Sequence, residues 1–381
     1  VVNKGDWMFT LDLEDAYYSF LLQEESRNLF GGKLEMDDEA KQKLAEGGFD
    51  TAKLKGDTAF VRPKGLPMGF KNSCAIWTKI FRTLTRKWRE QGFALIHYMD
   101  DLLFSAPTQE ECDRIRKVVL KDIIELGMAP SWGKTMGTAS KRVKFLGVIV
   151  DSEEMKFYIP GERLDKLEAA AEAVRQGGDK AALRELASVA GKVMSMSLAI
   201  PAARLLTKEC YSLIRPSEVG WEGEVEITAA LREELLEIAT KAREWNRRGA
   251  PIRRSLGALQ LRITSDASPE GYGYRLAGEC RQWQMGEAGL GVARDWEQDD
   301  ELQWQAWREL KGLEMALLEQ KEAVADRSVL LLSDAKTAVA YIENGAGASK
   351  VMSTIMRRIF DFCLTNNTRL RAEWVKGTDM K

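Results

Sequence analysis

The sequence is short of cysteine, proline and histidine and has no excess of charge, and these shortages exclude several classes of protein. Its five cysteines, Cys74, Cys112, Cys210, Cys280 and Cys363, are odd in number and far apart in 381 residues. That argues against a disulfide framework and C-x-x-C zinc sites, and predicts reduced packing residues. Nine prolines beside 45% hydrophobic and 30% charged residues rule out collagen-like repeats and wholesale disorder. No apolar run approaches the roughly 20 residues of a membrane span. The opening Val-Val-Asn-Lys-Gly-Asp lacks a signal-peptide layout, so a cytoplasmic or nuclear chain without a membrane partner is expected. With 56 basic against 58 acidic residues, the net charge of −2 argues at first sight against nucleic acid. The length suggests two or three domains.

What is present is organised by hydrophobic period. Trp7 to Leu13, Ala59 to Val61, Phe93 to Tyr98, Leu102 to Ser105 and Val143 to Val150 read as strands separated by helical stretches, a mixed α/β unit. Residues 162 to 214 switch to helix, with Leu183, Leu186, Ala187, Ala190, Val193 and Met194 on one face. A further helix carrying Leu231, Leu235, Ile238, Ala242 and Trp245 runs into Lys241 to Arg254. That stretch holds six basic residues against the single acid Glu244 and reads as a linker or nucleic-acid tether. The strand pattern returns at Leu259 to Ser265, Gly271 to Leu276 and Val329 to Ser333, with a helix around Glu309 to Leu318.

Chemistry concentrates at carboxylates. In Phe93-Ala-Leu-Ile-His-Tyr-Met-Asp-Asp-Leu-Leu-Phe104 two apolar runs flank Met99-Asp100-Asp101, which predicts a tight hairpin with two exposed acids at its tip. Alone, that is equally an ordinary acidic turn. However, Trp7-Met-Phe-Thr-Leu-Asp12 delivers another acid at a strand end. Meeting the hairpin, it would complete a cluster able to hold two divalent cations roughly 4 Å apart for in-line phosphoryl transfer. Between them, Lys64-Gly-Leu-Pro-Met-Gly-Phe-Lys-Asn-Ser-Cys-Ala-Ile-Trp77 is a Gly/Pro turn entering a helix, where backbone can approach a ligand closely. His97, the one histidine, reads as a neutral strand residue.

Together these segments resemble the palm of reverse transcriptases. Leu11-Asp-Leu-Glu-Asp-Ala-Tyr17 is similar to motif A, Leu66-Pro-Met-Gly-Phe-Lys-Asn-Ser73 to motif B and Tyr98-Met-Asp-Asp101 to motif C. Lys134, and Lys144-Phe-Leu-Gly147 after it, resemble motifs D and E. The resemblance implies that Asp12, Asp100 and Asp101, with the carbonyl of Leu13, bind Mg2+ or Mn2+, two ions per site. It makes Tyr17 the gate against a ribose 2′-OH and gives Asp15 and Ala16 backbone N–H groups to the triphosphate. Met68 and Gly69 would line the nucleotide and template site, and Lys134 would protonate the leaving pyrophosphate. Met68 stands where retroviral enzymes have glutamine, closer to retrotransposon usage.

A second set of acids follows. Ile263-Thr-Ser-Asp266 ends a β-like run, Glu309 starts a helix in Trp307-Arg-Glu-Leu310, and Val329-Leu-Leu-Leu-Ser-Asp334 ends another run; such acids can converge on a hydrolytic two-metal site. After a palm they resemble the Asp, Glu and Asp of ribonuclease H, which would make Asp266, Glu309 and Asp334 metal ligands. Glu314 on the same helix is a rival for Glu309. The family's fourth carboxylate follows a segment resembled by Trp374-Val-Lys-Gly377. The chain stops before it, with Asp379 as a poor substitute.

The resemblance therefore implies an α+β multidomain chain. It comprises a right-hand polymerase palm with partial fingers (1–157), a helical thumb (158–225), a connecting helix and basic linker (226–256), and an α/β ribonuclease H-like domain (257–381). The expected function is RNA-directed DNA polymerase with associated ribonuclease H. Expected partners are an RNA template, a DNA primer, RNA/DNA hybrid and deoxynucleoside triphosphates, from a DIRS-like or gypsy-type retrotransposon polyprotein truncated at both ends. A catalytically silent relic or nucleic-acid-binding scaffold is the alternative. Arg82, Arg86, Lys87 and Arg89, and Lys141, Arg142 and Lys144, are expected phosphate contacts or solvated charged faces. Most of the eleven tryptophans, Trp7 and Trp245 especially, are expected in cores.

Overall fold

The structure, a computed structural model, describes all residues except 52, 53, 55–57, 134, 136, 201, 215–218, 253–259, 279–289, 296–304, 346, 348 and 380–381. The chain forms two compact units, Val1–Leu146 with Val150–Met155, and Gly147–Ile149 with Lys156–Lys381. Among the described residues no helix is long and apolar enough to cross a membrane. Cys74, Cys112, Cys210 and Cys363 form no disulfide among the described residues; Cys280 lies outside them.

The first unit is built on strands β1 (Trp7–Leu11), β2 (Ala94–Tyr98) and β3 (Asp101–Ala106), with β3 in the middle and both pairings antiparallel. As the central strand, β3 is buried from Leu102 to Ala106. Helix α1 (Ser73–Glu90) places Trp77, Phe81, Thr85 and Trp88 at intervals of four and three, so one face is buried. In α2 (Gln109–Glu125) Cys112, Ile115, Val119 and Ile123 follow the same rule. Its start is fixed by Thr108, whose hydroxyl accepts the Glu111 N–H at 3.2 Å, with Glu110 and Glu111 favourable in the first turn. Phe9 and Phe104 stack at 4.8 Å inside this core. Trp7, expected inside, is half-buried under the Lys141 ammonium, 5.5 Å from its ring, because it opens the outer strand. The run Val143 to Val150 is two strands, split where Leu146 and Gly147 take φ 47° and 76°.

The second unit begins with four helices, α3 (Gly161–Gln176), α4 (Leu183–Ser195), α5 (Lys208–Ile214) and α6 (Ala229–Arg248). One core joins them, through Leu167, Leu186, Val193, Leu235, Ile238 and Trp245 among others. On α4 the buried face includes Val189, while Ala187 and Met194 sit at its edge. The basic run does not begin a linker. Lys241 to Arg248 complete α6 and meet acids: Lys241 pairs with Glu237 (3.2 Å) and Asp361 (3.5 Å), Arg243 with Asp165 and Glu168, and Arg248 with Glu244. Arg253 and Arg254 lie outside the described residues.

A five-stranded sheet follows, of β4 (Leu261–Ala267), β5 (Gly271–Gly278), β6 (Leu290–Asp295), β7 (Ser328–Ser333) and β8 (Arg369–Trp374), in the order β6-β5-β4-β7-β8. β4, β5 and β6 form an antiparallel meander, whereas β4, β7 and β8 are parallel. Parallel neighbours need crossovers, supplied by α7 (Gln305–Glu319) before β7 and by α8 (Lys336–Asn344) and α9 (Lys350–Thr365) before β8. Flanked on both sides, β7 is buried throughout. Helix α9 also staples the sheet to the helices: Phe360 packs against both cores, Arg357 pairs with Glu237, and Arg248 donates to the Thr365 hydroxyl at 2.9 Å.

Two candidate metal centres

The first centre lies where β1 ends beside the β2–β3 hairpin. Leu11 faces Leu102, so the same register carried one residue further sets Asp12 level with Asp101. The hairpin closes on the pair Tyr98 and Asp101, leaving only Met99 and Asp100 at its tip. The expectation of two exposed tip acids is corrected accordingly: Asp101 already belongs to β3, and both acids are half-buried. Ser131 N–H donates to the Asp12 carbonyl at 2.8 Å, which makes Asp12 and Ser131 a hydrogen-bonded antiparallel pair. Hydrogen-bonded and non-bonded pairs alternate, so in the next pair, Leu13 with Pro130, the Leu13 carbonyl points away from its neighbour.

Around these acids, Asp15 takes φ 48°, Ala16 is buried in the following 3-10 turn, and Tyr17 is half-buried. Burial, the Cys74 thiol and the negative charge of Asp100 together raise the Tyr17 phenol above its ordinary pKa. The motif B segment is stitched to the chain after Tyr17: Leu22 N–H donates to Lys64 O at 2.8 Å and Leu66 N–H to Phe20 O at 2.9 Å. Only glycine fits at residue 65, where a Cβ would lie 2.5 Å from the Tyr18 carbonyl oxygen. Met68 and Gly69 are exposed. Ser73 Oγ donates to Pro67 O at 2.6 Å, fixing the entry to α1. Lys134 lies outside the described residues. Of the expected phosphate contacts, Lys87 pairs with Asp122, Lys141 with Glu153 and Arg142 with Asp151, whereas Arg82, Arg86 and Arg89 are exposed.

The second centre follows from parallel pairing. Leu261 to Thr264 face Val329 to Leu332; two residues further, the same register sets Asp266 level with Asp334. Helix α7 brings Glu309 up from within the core, where it is fully buried. Ligand oxygens of Asp266, Glu309 and Asp334 all lie within 4.8 Å of one another, the one such cluster among the described residues. Burial first, then the charges of Asp334 and Asp266, push Glu309 up to about 8, against bonds from the Ala267 N–H (3.3 Å) and Ser333. Glu309 Oε2 and Asp334 Oδ1 are buried and unpartnered. Three converging carboxylates with unpartnered oxygens fit a hard divalent cation, which would offset their repulsion. Glu314 takes no part: Arg358 and Lys311 neutralise it on the far side of α7.

Three contacts have no counterpart in the sequence motifs. Trp77 Nε1 donates to the Met99 carbonyl, the Thr135 hydroxyl lies 3.4 Å from both backbone N and O of Asp12, and Trp374 Nε1 donates to the Asp334 carbonyl at 2.7 Å. Only the tryptophan content hinted at the first and last.

Residues 2–150 match the family described as reverse transcriptase (RNA-dependent DNA polymerase). That segment is similar to a reverse transcriptase domain. It is 31% identical over 157 residues to the Pol polyprotein of feline endogenous virus ECE1, covering 41% of this chain and 13% of that one. To the Gag-Pol polyprotein of baboon endogenous virus (strain M7) it is 28% identical over 234 residues, 60% of this chain and 12% of the other. The fold of 99% of the chain is similar, at a TM-score of 0.53 and 17% identity, to 45% of a foamy viral protease-reverse transcriptase solved in complex with RNA/DNA hybrid. The first candidate centre thus lies within the matched residues, and the second lies beyond them.

Proposed function

We propose that this chain is the RNA-directed DNA polymerase and ribonuclease H segment of a retroelement polyprotein. It would extend a DNA primer on an RNA template with deoxynucleoside triphosphates and cut the RNA of the resulting hybrid. The observation that carries the polymerase reading is the register bringing the Asp12 strand end alongside the Met99-Asp100 hairpin in a domain similar to retroviral Pol. The clustering of Asp266, Glu309 and Asp334 supports the ribonuclease H reading. On this reading residues 1–157 are palm with partial fingers, 158–225 the thumb, 226–256 the connection and 257–381 the ribonuclease H-like domain. Met68 favours a retrotransposon, DIRS-like or gypsy-type, over a retrovirus.

Two divalent cations per centre, Mg2+ or Mn2+, would supply charge neutralisation and activation of the attacking hydroxyl or water. Asp12, Asp100 and Asp101, with the outward-facing Leu13 carbonyl, would hold them in the polymerase, and Asp266, Glu309 and Asp334 in the nuclease. Tyr17 would exclude a 2′-OH, Asp15 and Ala16 would present N–H groups to the triphosphate, and Met68 and Gly69 would line the nucleotide and template. Lys134 would deliver a proton to the leaving pyrophosphate.

Paired variants test the assignment. Asp100→Asn should lower primer extension by more than about 100-fold and leave hybrid cleavage intact; Glu309→Gln should do the reverse, since even outer partners of metal ligands contribute roughly 10- to 100-fold. If both variants retained both activities, or neither activity were present in the parent chain, the reading would be wrong and a silent scaffold would replace it.

A further inference from the structure

Met99, at the tip of the hairpin, has φ 54°, a left-handed conformation that an L side chain keeps only where its surroundings enforce it. The enforcement is visible. The Met99 carbonyl accepts the Trp77 Nε1–H at 2.9 Å and lies 2.6 Å from His97 Nε2. Trp77 is wholly buried, stacked on Phe81 at 5.0 Å and tilted against Phe20 at 4.8 Å, so its indole has no freedom to follow a moving acceptor. His97 is half-buried with its ring 4.9 Å from Phe81. Burial holds His97 below its ordinary pKa and thus neutral, although the Met99 carbonyl and Asp100 oppose this and Arg89 and Arg82 assist it. A carbonyl only accepts, so the neutral ring carries its proton on Nε2. Turning the Met99-Asp100 peptide out of its present orientation would break both bonds and strand a buried indole N–H.

We infer that Trp77, seconded by His97, is a positioning residue that locks the Met99-Asp100 peptide and so presets the Asp100 carboxylate beside Asp12. This rests on the reading of Asp12 and Asp100 as metal ligands. The same indole meets Tyr17 edge-on, with ring centroids 5.9 Å apart, so one side chain of α1 braces both the motif C turn and the motif A aromatic. Removing the N–H frees the Met99-Asp100 peptide to reorient within its two-residue turn, and Asp100 then has to be reorganised when a cation binds.

Trp88 supplies a matched control. It lies on the same helix, is as deeply buried, and gives its indole N–H to Asp122 Oδ2 at 2.8 Å, at a point the proposed chemistry does not use. Trp77→Phe and Trp88→Phe each remove one N–H and keep an aromatic ring. Because His97 is the only histidine, the chain labelled with 15N-histidine yields one imidazole, whose broadening by Mn2+ reports the polymerase centre without interference from other histidines. Trp77→Phe is expected to shift the His97 Nε2–H signal and to raise the Mn2+ concentration for half-broadening about tenfold, within the range for outer partners of metal ligands. Trp88→Phe should change neither beyond about twofold. Equal responses from the two variants would overturn the inference. Asp100→Asn separates it from the reading beneath: if Asp100→Asn leaves Mn2+ binding unchanged the metal-site reading fails, whereas if it abolishes binding and Trp77→Phe is silent only the positioning role fails. Should Trp77→Phe not fold, His97→Leu and His97→Gln, compared by electron paramagnetic resonance of free Mn2+ in a Glu309→Gln background, decide the matter. Leu should lose affinity and Gln, which can still donate to the Met99 carbonyl, should retain most of it; equal affinities would refute the clamp.

Discussion

Glu234 is 1% exposed inside the helical core of the second unit, yet it meets no cation; it accepts the backbone N–H groups of Glu209 at 2.8 Å and Cys210 at 2.9 Å. Burial, outweighing those two bonds, pushes it up to about 7 from an ordinary 4.5. A carboxyl whose folded pKa is raised stabilises the fold while protonated, fully below the unfolded value, and that contribution is lost as pH rises through the folded one. Between about pH 4.5 and 7 the loss is on the order of 3 kcal/mol. Urea melts of the wild type and Glu234→Gln should therefore diverge across that window, with the wild type relatively more stable at pH 5 than at pH 8. Parallel curves would contradict this. Residue-level choices of this kind were only partly legible in the sequence. Glu309 and Glu314 share one helix, and nothing in their spacing says which faces Asp266. The choice depends on Arg358 and Lys311, which neutralise Glu314, and Arg358 lies on α9, far along the chain. The Met99 carbonyl clamp was invisible for the same reason, since it joins Trp77 and His97 through a backbone oxygen.

At the scale of elements, hydrophobic period located β1 to β5 and β7 to within about two residues, because burial on one face writes itself into the pattern, but it ran α3 to α5 together and did not single out α2, α8, α9, β6 or β8. Pairing was less accessible. The Asp-Asp turn read as one tip, but antiparallel closure at Tyr98 and Asp101 pulls the second acid into the strand. The basic stretch after Trp245 read as a linker because charge alone does not distinguish a solvated tether from helix residues that pair with neighbouring acids. Gly65 shows the same limit. Its role comes from the approach of the Tyr18 backbone, where a Cβ would meet the carbonyl oxygen at 2.5 Å and neither partner is a flexible side-chain end. Gly65→Ala should thus force the motif B segment away from the chain after Tyr17, costing roughly 1–3 kcal/mol. A thermal melt should show a lower midpoint; an unchanged midpoint would mean that the segment is looser than the structure indicates.

For the molecule as a whole, the near-neutral charge describes no one part of the surface. The net of −2 averages over the acids gathered at Asp266, Glu309 and Asp334, cations tied in ion pairs on α6, and exposed arginines at 82, 86 and 89 on α1. Two units with separate cores each carry one candidate centre, where strand register levels Asp12 with Asp101 and Asp266 with Asp334. The central claim is that the first of them polymerises DNA on RNA. Primer extension on an RNA template, with Mg2+ or Mn2+ and deoxynucleoside triphosphates, tests it most directly. Extension that requires the cation and disappears in Asp100→Asn is the predicted result; no product, or equal product from Asp100→Asn, would contradict the account.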